Sequence, residues 1–307
     1  MSTGLRHGRT ATADVADLRH SAGDVRLFVL AVDGTLLDSS HRVGARSVAA
    51  IERALRRGLQ IMLVTARGPS ALRPVLAQVP ALAHEIFIAS QGAVTARFVE
   101  SGRLATIAQQ QMPLRAARRL VRLALERGIA VHWHSRNQWH VSQSDHTVAR
   151  TADIVGAAPT VSDLLSLDEG PDKLTLVAGD GRPESLKPVL EAIPAGLTAH
   201  RSHPGICQIT RDDVGKDHAV ARFARVSRIA PDEVLCVGSR PDDVGMLVYA
   251  GVGVAPVNAS PGAIDAADFT TGSSDDAGVA QLLDALLDDE VPHQAPEARA
   301  RRLRPAA

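Results

Sequence analysis

The chain has 307 residues, 45% hydrophobic and 22% charged, which is ordinary for a globular protein of one large or two modest domains. Its formal net charge is zero and only 3% of its residues are aromatic. That balance excludes bulk attraction to nucleic acid or an anionic membrane and leaves few platforms for stacking bases. Only Lys173, Lys187 and Lys216 are lysines among 34 basic residues, so each lysine stands out against an arginine background.

Residues 1–24 are polar, lack the apolar centre of a signal peptide, and are expected to form a flexible leader. The apolar run 27–32 then stops at Asp33-Gly34-Thr35, as a buried parallel strand does when its carboxyl end carries a site. Residues 43–57 show helical spacing (Val48, Ile51, Leu55) and close on Gly58. A second strand, 59–64, ends at Thr65-Ala66-Arg67, and a helix follows over 69–78 with Pro69 in its first turn. A third strand, 85–90, ends at Gln91-Gly92-Ala93. Strand and helix in alternation predict an α/β fold, a doubly wound and mostly parallel sheet.

The rhythm changes after residue 93. Hairpins are expected at 94–109 and 129–143, helices at 113–127 and 183–193, and strands at 173–178, 197–201 and 206–210. This mixture predicts an inserted α+β domain over 94–205, with the core formed by 25–93 and 206–288. His132 and His134 share one face of a strand, a geometry open to zinc, although ring packing within a hairpin is the simpler expectation. The αβ pattern resumes at Lys216. A strand over 234–237 ends at Gly238-Ser239-Arg240-Pro241-Asp242-Asp243, and further elements run to 287. Residues 289–307, with Arg299, Arg301, Arg302 and Arg304, are expected to form a disordered basic tail. Cys207 and Cys236 lie in apolar segments and read as buried thiols of a reducing compartment, so a cytoplasmic location with no membrane contact is expected.

Four strand ends, at Asp33, Thr65, Lys216 and 238–243, resemble the motifs of the haloacid-dehalogenase-like (HAD) phosphatases, Cof-type branch. The resemblance spans about 25–288 and implies a Rossmannoid core with an inserted α+β cap that sets substrate choice. The family's first motif is DxDGT. Here Ala31-Val32-Asp33-Gly34-Thr35 places Ala31 at the nucleophile position and keeps Asp33 at the acid/base position. The resemblance gives Gly34, Thr65, Arg67 and Lys216 to phosphate. It implies Mg²⁺ held by the first Asp, the backbone carbonyl of Asp33 and the first Asp of GDxxND. The last of these is Ser239 in this chain. Asp243 keeps the supporting position, Asp242 replaces Asn, and Arg240 is an added cation; with Asp33, the pair Asp242 and Asp243 is expected to hold whatever hydrated ion binds. Two carboxylates are thus missing from one pocket. The leading expectation is a phosphatase homologue with hydrolysis lost or strongly weakened, retaining a pocket for a small phosphorylated metabolite. The alternatives are an active Mg²⁺-dependent phosphatase of sugar phosphates or similar metabolites, and a non-catalytic interaction protein on the same scaffold.

Overall fold

The computed structural model describes residues 25–287 and Leu18. The tail over 289–307 lies outside the described residues, as does the leader apart from Leu18. That residue is helical and fully buried in the core, so at this position the chain is part of the fold rather than a free leader.

The first sheet contains β1 (Leu27–Ala31), β2 (Gln60–Val64), β3 (Phe87–Ala89), β4 (Val94–Phe98) and β5 (Leu104–Gln109). The second contains β6 (Ala130–Ser135), β7 (Gln138–Val141), β8 (Thr160–Val161), β9 (Lys173–Val177), β10 (Leu197–His203) and β11 (Ile206–Arg211). The chain then returns to the first sheet with β12 (Val234–Val237), β13 (Val252–Pro256) and β14 (Phe269–Thr271). The eight-stranded order is β14-β13-β12-β1-β2-β3-β4-β5, parallel as far as β3. The six-stranded order is β10-β11-β9-β6-β7-β8.

β1 is central because both of its faces are apolar. Phe28, Leu30 and Val32 point into one core, shared with Ala50, Ile51 and Leu283 of the helices Ala45–Arg56 and Gly278–Leu287. Leu27, Val29 and Ala31 point into the opposite core, against Ala219, Val220 and Met246. This period-two division gives helices on both faces of the sheet, the expected doubly wound α/β architecture.

The sheet boundaries differ from the sequence expectation. The hairpin 94–109, expected in the inserted domain, pairs antiparallel with β3 and extends the first sheet. β11, expected in the core, pairs antiparallel with β9 and β10 and belongs to the second sheet. An amphipathic hairpin carries the same alternation whichever sheet it joins, so residue pattern alone does not assign it. The helix His146–Val155 and strands β8 and β14 add to the expected elements. β8 has two residues and β14 three, too short for a periodic signal.

Two close backbone contacts fix the site's geometry. Gly92 sits at φ +99°, where a Cβ would lie 2.2 Å from the Gly215 carbonyl oxygen, immediately before Lys216. Gly58 also has positive φ, +84°, but nothing lies within 4 Å of its Cβ position. Gly58→Ala should therefore cost about 1 kcal/mol, and Gly92→Ala at least about 2 kcal/mol from backbone strain and overpacking together. Urea unfolding of the two variants checks the order; equal losses would mean that the approach to Gly215 does not matter.

Candidate active site

The carboxyl ends of β1, β2, β3 and β12 meet at one edge of the sheet, where ligands sit in open α/β folds. The loops after β2 and β3 are tied together: Ser90 N donates to Arg67 O at 2.7 Å and Gln91 N to Thr65 O at 3.2 Å. Ser90 and Gln91 both adopt positive φ, 52° and 61°, a strained pair of non-glycine residues of the kind that clusters at functional sites. The second sheet covers this edge. Lys173 Nζ reaches across and donates to Ala66 O at 2.6 Å. Between the sheets is a cavity of about 400 Å³, lined on the core side by Ala31, Asp33, Thr65, Arg67, Lys216, Arg240 and Asp242. Gly34, Ser239 and Asp243 stand behind this lining rather than in it.

Asp33 is held by Arg67, whose Nη2 donates to Oδ1 at 2.6 Å and whose Nε donates to Oδ2 at 3.0 Å. Burial pushes the Asp33 pKa up, but the Arg67 hydrogen bonds and charge, with Arg240 and Lys216, outweigh it and lower it. Arg67, expected on phosphate, is thus committed to Asp33, the carboxylate expected at the acid/base position. Thr65 Oγ1 accepts from Arg67 N at 3.0 Å, an arrangement that leaves its own O–H as a donor.

Lys216 is 5% exposed and begins the helix Lys216–Val226. Its Nζ donates to Asp243 Oδ1 at 2.6 Å and to Asp242 Oδ2 at 2.9 Å. Burial would lower its pKa, but Asp243 and Asp242 overcome this and raise it. Asp243 is fully buried, and its Oδ2 accepts from Ser239 N and Arg240 N, both at 2.9 Å. Burial pushes the Asp242 pKa up, and Lys216 more than reverses this.

The expected metal position is occupied by the protein's own donors. Ser239 Oγ donates to the Asp33 carbonyl at 3.2 Å and accepts from Thr35 Oγ1 at 3.0 Å. Arg240 Nε points at the same carbonyl at 3.4 Å. Magnesium needs oxygen lone pairs in an octahedron. Here Ala31 supplies none, the carbonyl faces N–H and O–H protons, and Asp33, Asp242 and Asp243 are spent on Arg67, Lys216 and backbone amides. The metal roles expected for these three aspartates therefore do not fit this donor set. No group of three potential metal-ligating side chains occurs among the described residues. His132 and His134 face the cavity with ring centroids 6.5 Å apart and accordingly lack the companions that zinc would need.

Lys173 was identifiable from lysine scarcity, the same signal that singled out Lys216; its place in the cavity depends on the cap. Burial lowers its pKa to about 8 despite the neighbouring Asp242. Among the residues that line the cavity, four cations, Arg67, Lys173, Lys216 and Arg240, face two carboxylates, Asp33 and Asp242, with Asp243 buried behind Lys216, so the lining carries an excess of positive charge. Thr35 was legible only as part of the Asp33-Gly34-Thr35 strand end, not through its bond to Ser239; Gln208 carried no sequence signal, since only strand pairing brings it to the cavity.

A profile of the haloacid dehalogenase-like hydrolase family matches residues 28–283. YxeH of Bacillus subtilis (strain 168) is 26% identical over 271 residues, covering 85% of this chain and 98% of that protein. A phosphoglycolate phosphatase of Methanoculleus marisnigri is 24% identical over 248 residues, 80% of this chain and 90% of its own length. Among solved structures, BT1666 of Bacteroides thetaiotaomicron, described with phosphatases of the HAD superfamily, aligns with TM-score 0.72 and 27% identity over 85% of this chain and 95% of that one. TM0651 of Thermotoga maritima aligns with TM-score 0.74 and 22% identity, over 86% and 98%, and shows the same fold.

Two buried groups at the cap should give opposed pH effects. Burial, then the Lys173 charge, lowers the His132 pKa from 6.5 to about 4. The unfolded chain takes up this proton first, so stability falls as pH drops from 6.5 towards 4. Asp172 accepts from Gln109 Nε2 and Arg136 N, yet burial dominates and raises its pKa from 3.8 to about 6. The folded chain takes up that proton first, so stability rises as pH drops from 6 to 3.8. Each contribution is at most about 3 kcal/mol. His132→Phe should lessen the acid loss between pH 7 and 4.5, and Asp172→Asn should deepen it. Urea unfolding at the two pH values checks this, and a shift of both variants in one direction would contradict it.

Proposed function

The chain belongs to the haloacid dehalogenase-like hydrolase family, and from that premise we propose that it is a phosphatase homologue whose phosphomonoester hydrolysis is lost or strongly weakened while a metal-independent phosphate pocket persists. The observation that carries this reading is Ala31. It lines the cavity where an aspartyl-phosphate would form, and a methyl group has no lone pair with which to attack phosphorus.

The surroundings support the same reading. A general acid must hold a proton near the working pH. Arg67 favours ionised Asp33, which opposes that role. Ser239 and Arg240 present hydrogen-bond donors to the Asp33 carbonyl in place of a metal. The excess positive charge, the Thr65 hydroxyl and Lys216 remain suited to an anion. The loss of a carboxylate at position 31 also removes a repulsion that a bound phosphate would meet.

The test has two parts. Calorimetric titration in EDTA should give inorganic phosphate binding that added magnesium does not strengthen; no heat up to about 10 mM, a weak-binding limit of roughly 3 kcal/mol, would refute the pocket. With p-nitrophenyl phosphate and magnesium, Ala31→Asp/Ser239→Asp should turn over at least about 100-fold faster than the wild type. Wild-type turnover equal to that of the double variant would instead favour an active magnesium-dependent phosphatase.

A further inference from the structure

The second sheet has two faces of opposite character. Val131, Trp133, Leu174, Leu176, Cys207 and Ile209 pack into an apolar core with the helix Leu114–Leu125. The alternate positions face the cavity, and strand register aligns them in rows. His132 pairs with Thr175 and Thr175 with Gln208, across β6, β9 and β11. Next to this row lie Trp139, His134 and Lys173, across β7, β6 and β9. Beyond it Val177 and Ile206 form an apolar end.

Three polar atoms on this floor have no hydrogen-bond partner: His132 Nε2, Trp139 Nε1 and Gln208 Oε1. Their residues are 5%, 7% and 9% exposed, and all three line the cavity. A buried polar group left unpaired costs about 1–3 kcal/mol, so three on one face call for a common partner. Adjacent strands lie about 4.8 Å apart, so the His132–Gln208 row spans roughly 10 Å, the width of a substituted ring.

We propose that this row, with Trp139 beside it, recognises the uncharged organic part of a phosphate monoester, a ring-sized group that carries both hydrogen-bond acceptors and donors. The inference rests on the phosphate pocket proposed above and extends it to the cap. Trp139 Nε1–H can only donate and needs an acceptor; Gln208 Oε1 can only accept and needs a donor. His132, held neutral by burial, can serve either way. A second anionic group is disfavoured, because Lys173 is the last cation before Val177 and Ile206. The parallel rings of His134 and Trp139, 6.0 Å apart and inclined by 10°, offer apolar surface to a ring. Thr151 and Ile154 of the helix His146–Val155, which packs beside Trp139, also line the cavity. A polyol ring and a nucleobase share this chemistry.

The full chain, in EDTA, is titrated calorimetrically with inorganic phosphate, glucose 6-phosphate and uridine 5′-monophosphate. At least one ester should bind about tenfold or more tighter than phosphate, as two or three added hydrogen bonds would give. Which ester gains tells polyol from nucleobase. Trp139→Phe keeps the ring and removes the N–H; Gln208→Met keeps the volume and removes the amide. Each should lose about fivefold or more of the ester affinity, while phosphate binding stays within about twofold, which also shows that both variants fold. Phosphate binding with no gain for either ester, or a gain that survives both variants, overturns the cap inference alone. Absence of phosphate binding in the wild type overturns the pocket reading beneath it.

Discussion

The site depends on one buried ion pair, Lys216 with Asp243. Both side chains are almost wholly removed from water, and Asp243 also accepts the Ser239 and Arg240 amides. The pair therefore fixes the first turn of the helix after β11 against the loop after β12. Breaking a buried pair of this kind costs about 3–5 kcal/mol, because the remaining charge is stranded. Once the loop is fixed, Ser239 Oγ falls against the Asp33 carbonyl and Arg240 turns towards the same atom. The atoms that this loop presents to the carbonyl are thus a hydroxyl and a guanidinium.

The remaining charges follow from this arrangement. Asp33 lacks a carboxylate neighbour at position 31 and is clamped by Arg67. Lys173 arrives from the cap and closes the cavity over Ala66. Every carboxylate at the edge has a cationic or amide partner within the protein, so neither the fold nor the local charge balance requires an external cation. What the partners leave over is an excess positive charge, a hydroxyl donor and a cap floor of neutral polar groups beside an apolar end. That combination suits an anion attached to an uncharged group.

Much of the core was legible in the sequence because it depends on local pattern. The unbroken apolar runs of β1 and β12 marked buried parallel strands, and the chemistry-bearing residues at their ends marked the edge. Ala31 and Ser239 could be read as substitutions only against the family pattern. The Arg67–Asp33 clamp was not legible, since 34 positions and a sheet crossing separate the partners. The hairpin 94–109 and β11 were assigned to the wrong sheets because alternation fixes which side chains share a face but not which strand is the neighbour. The cap floor was hidden for the same reason: His132 and Gln208 become one row only when β9 lies between them.

The central claim is that protein donors have taken the place of the metal at the Asp33 carbonyl. Electron paramagnetic resonance of added Mn²⁺, with phosphate present, addresses it directly. The account predicts no bound Mn²⁺ in the wild type up to about 1 mM, a limit of roughly 4 kcal/mol, and one bound ion in Ala31→Asp/Ser239→Asp. One tightly bound ion in the wild type, displaced by added magnesium, would contradict it.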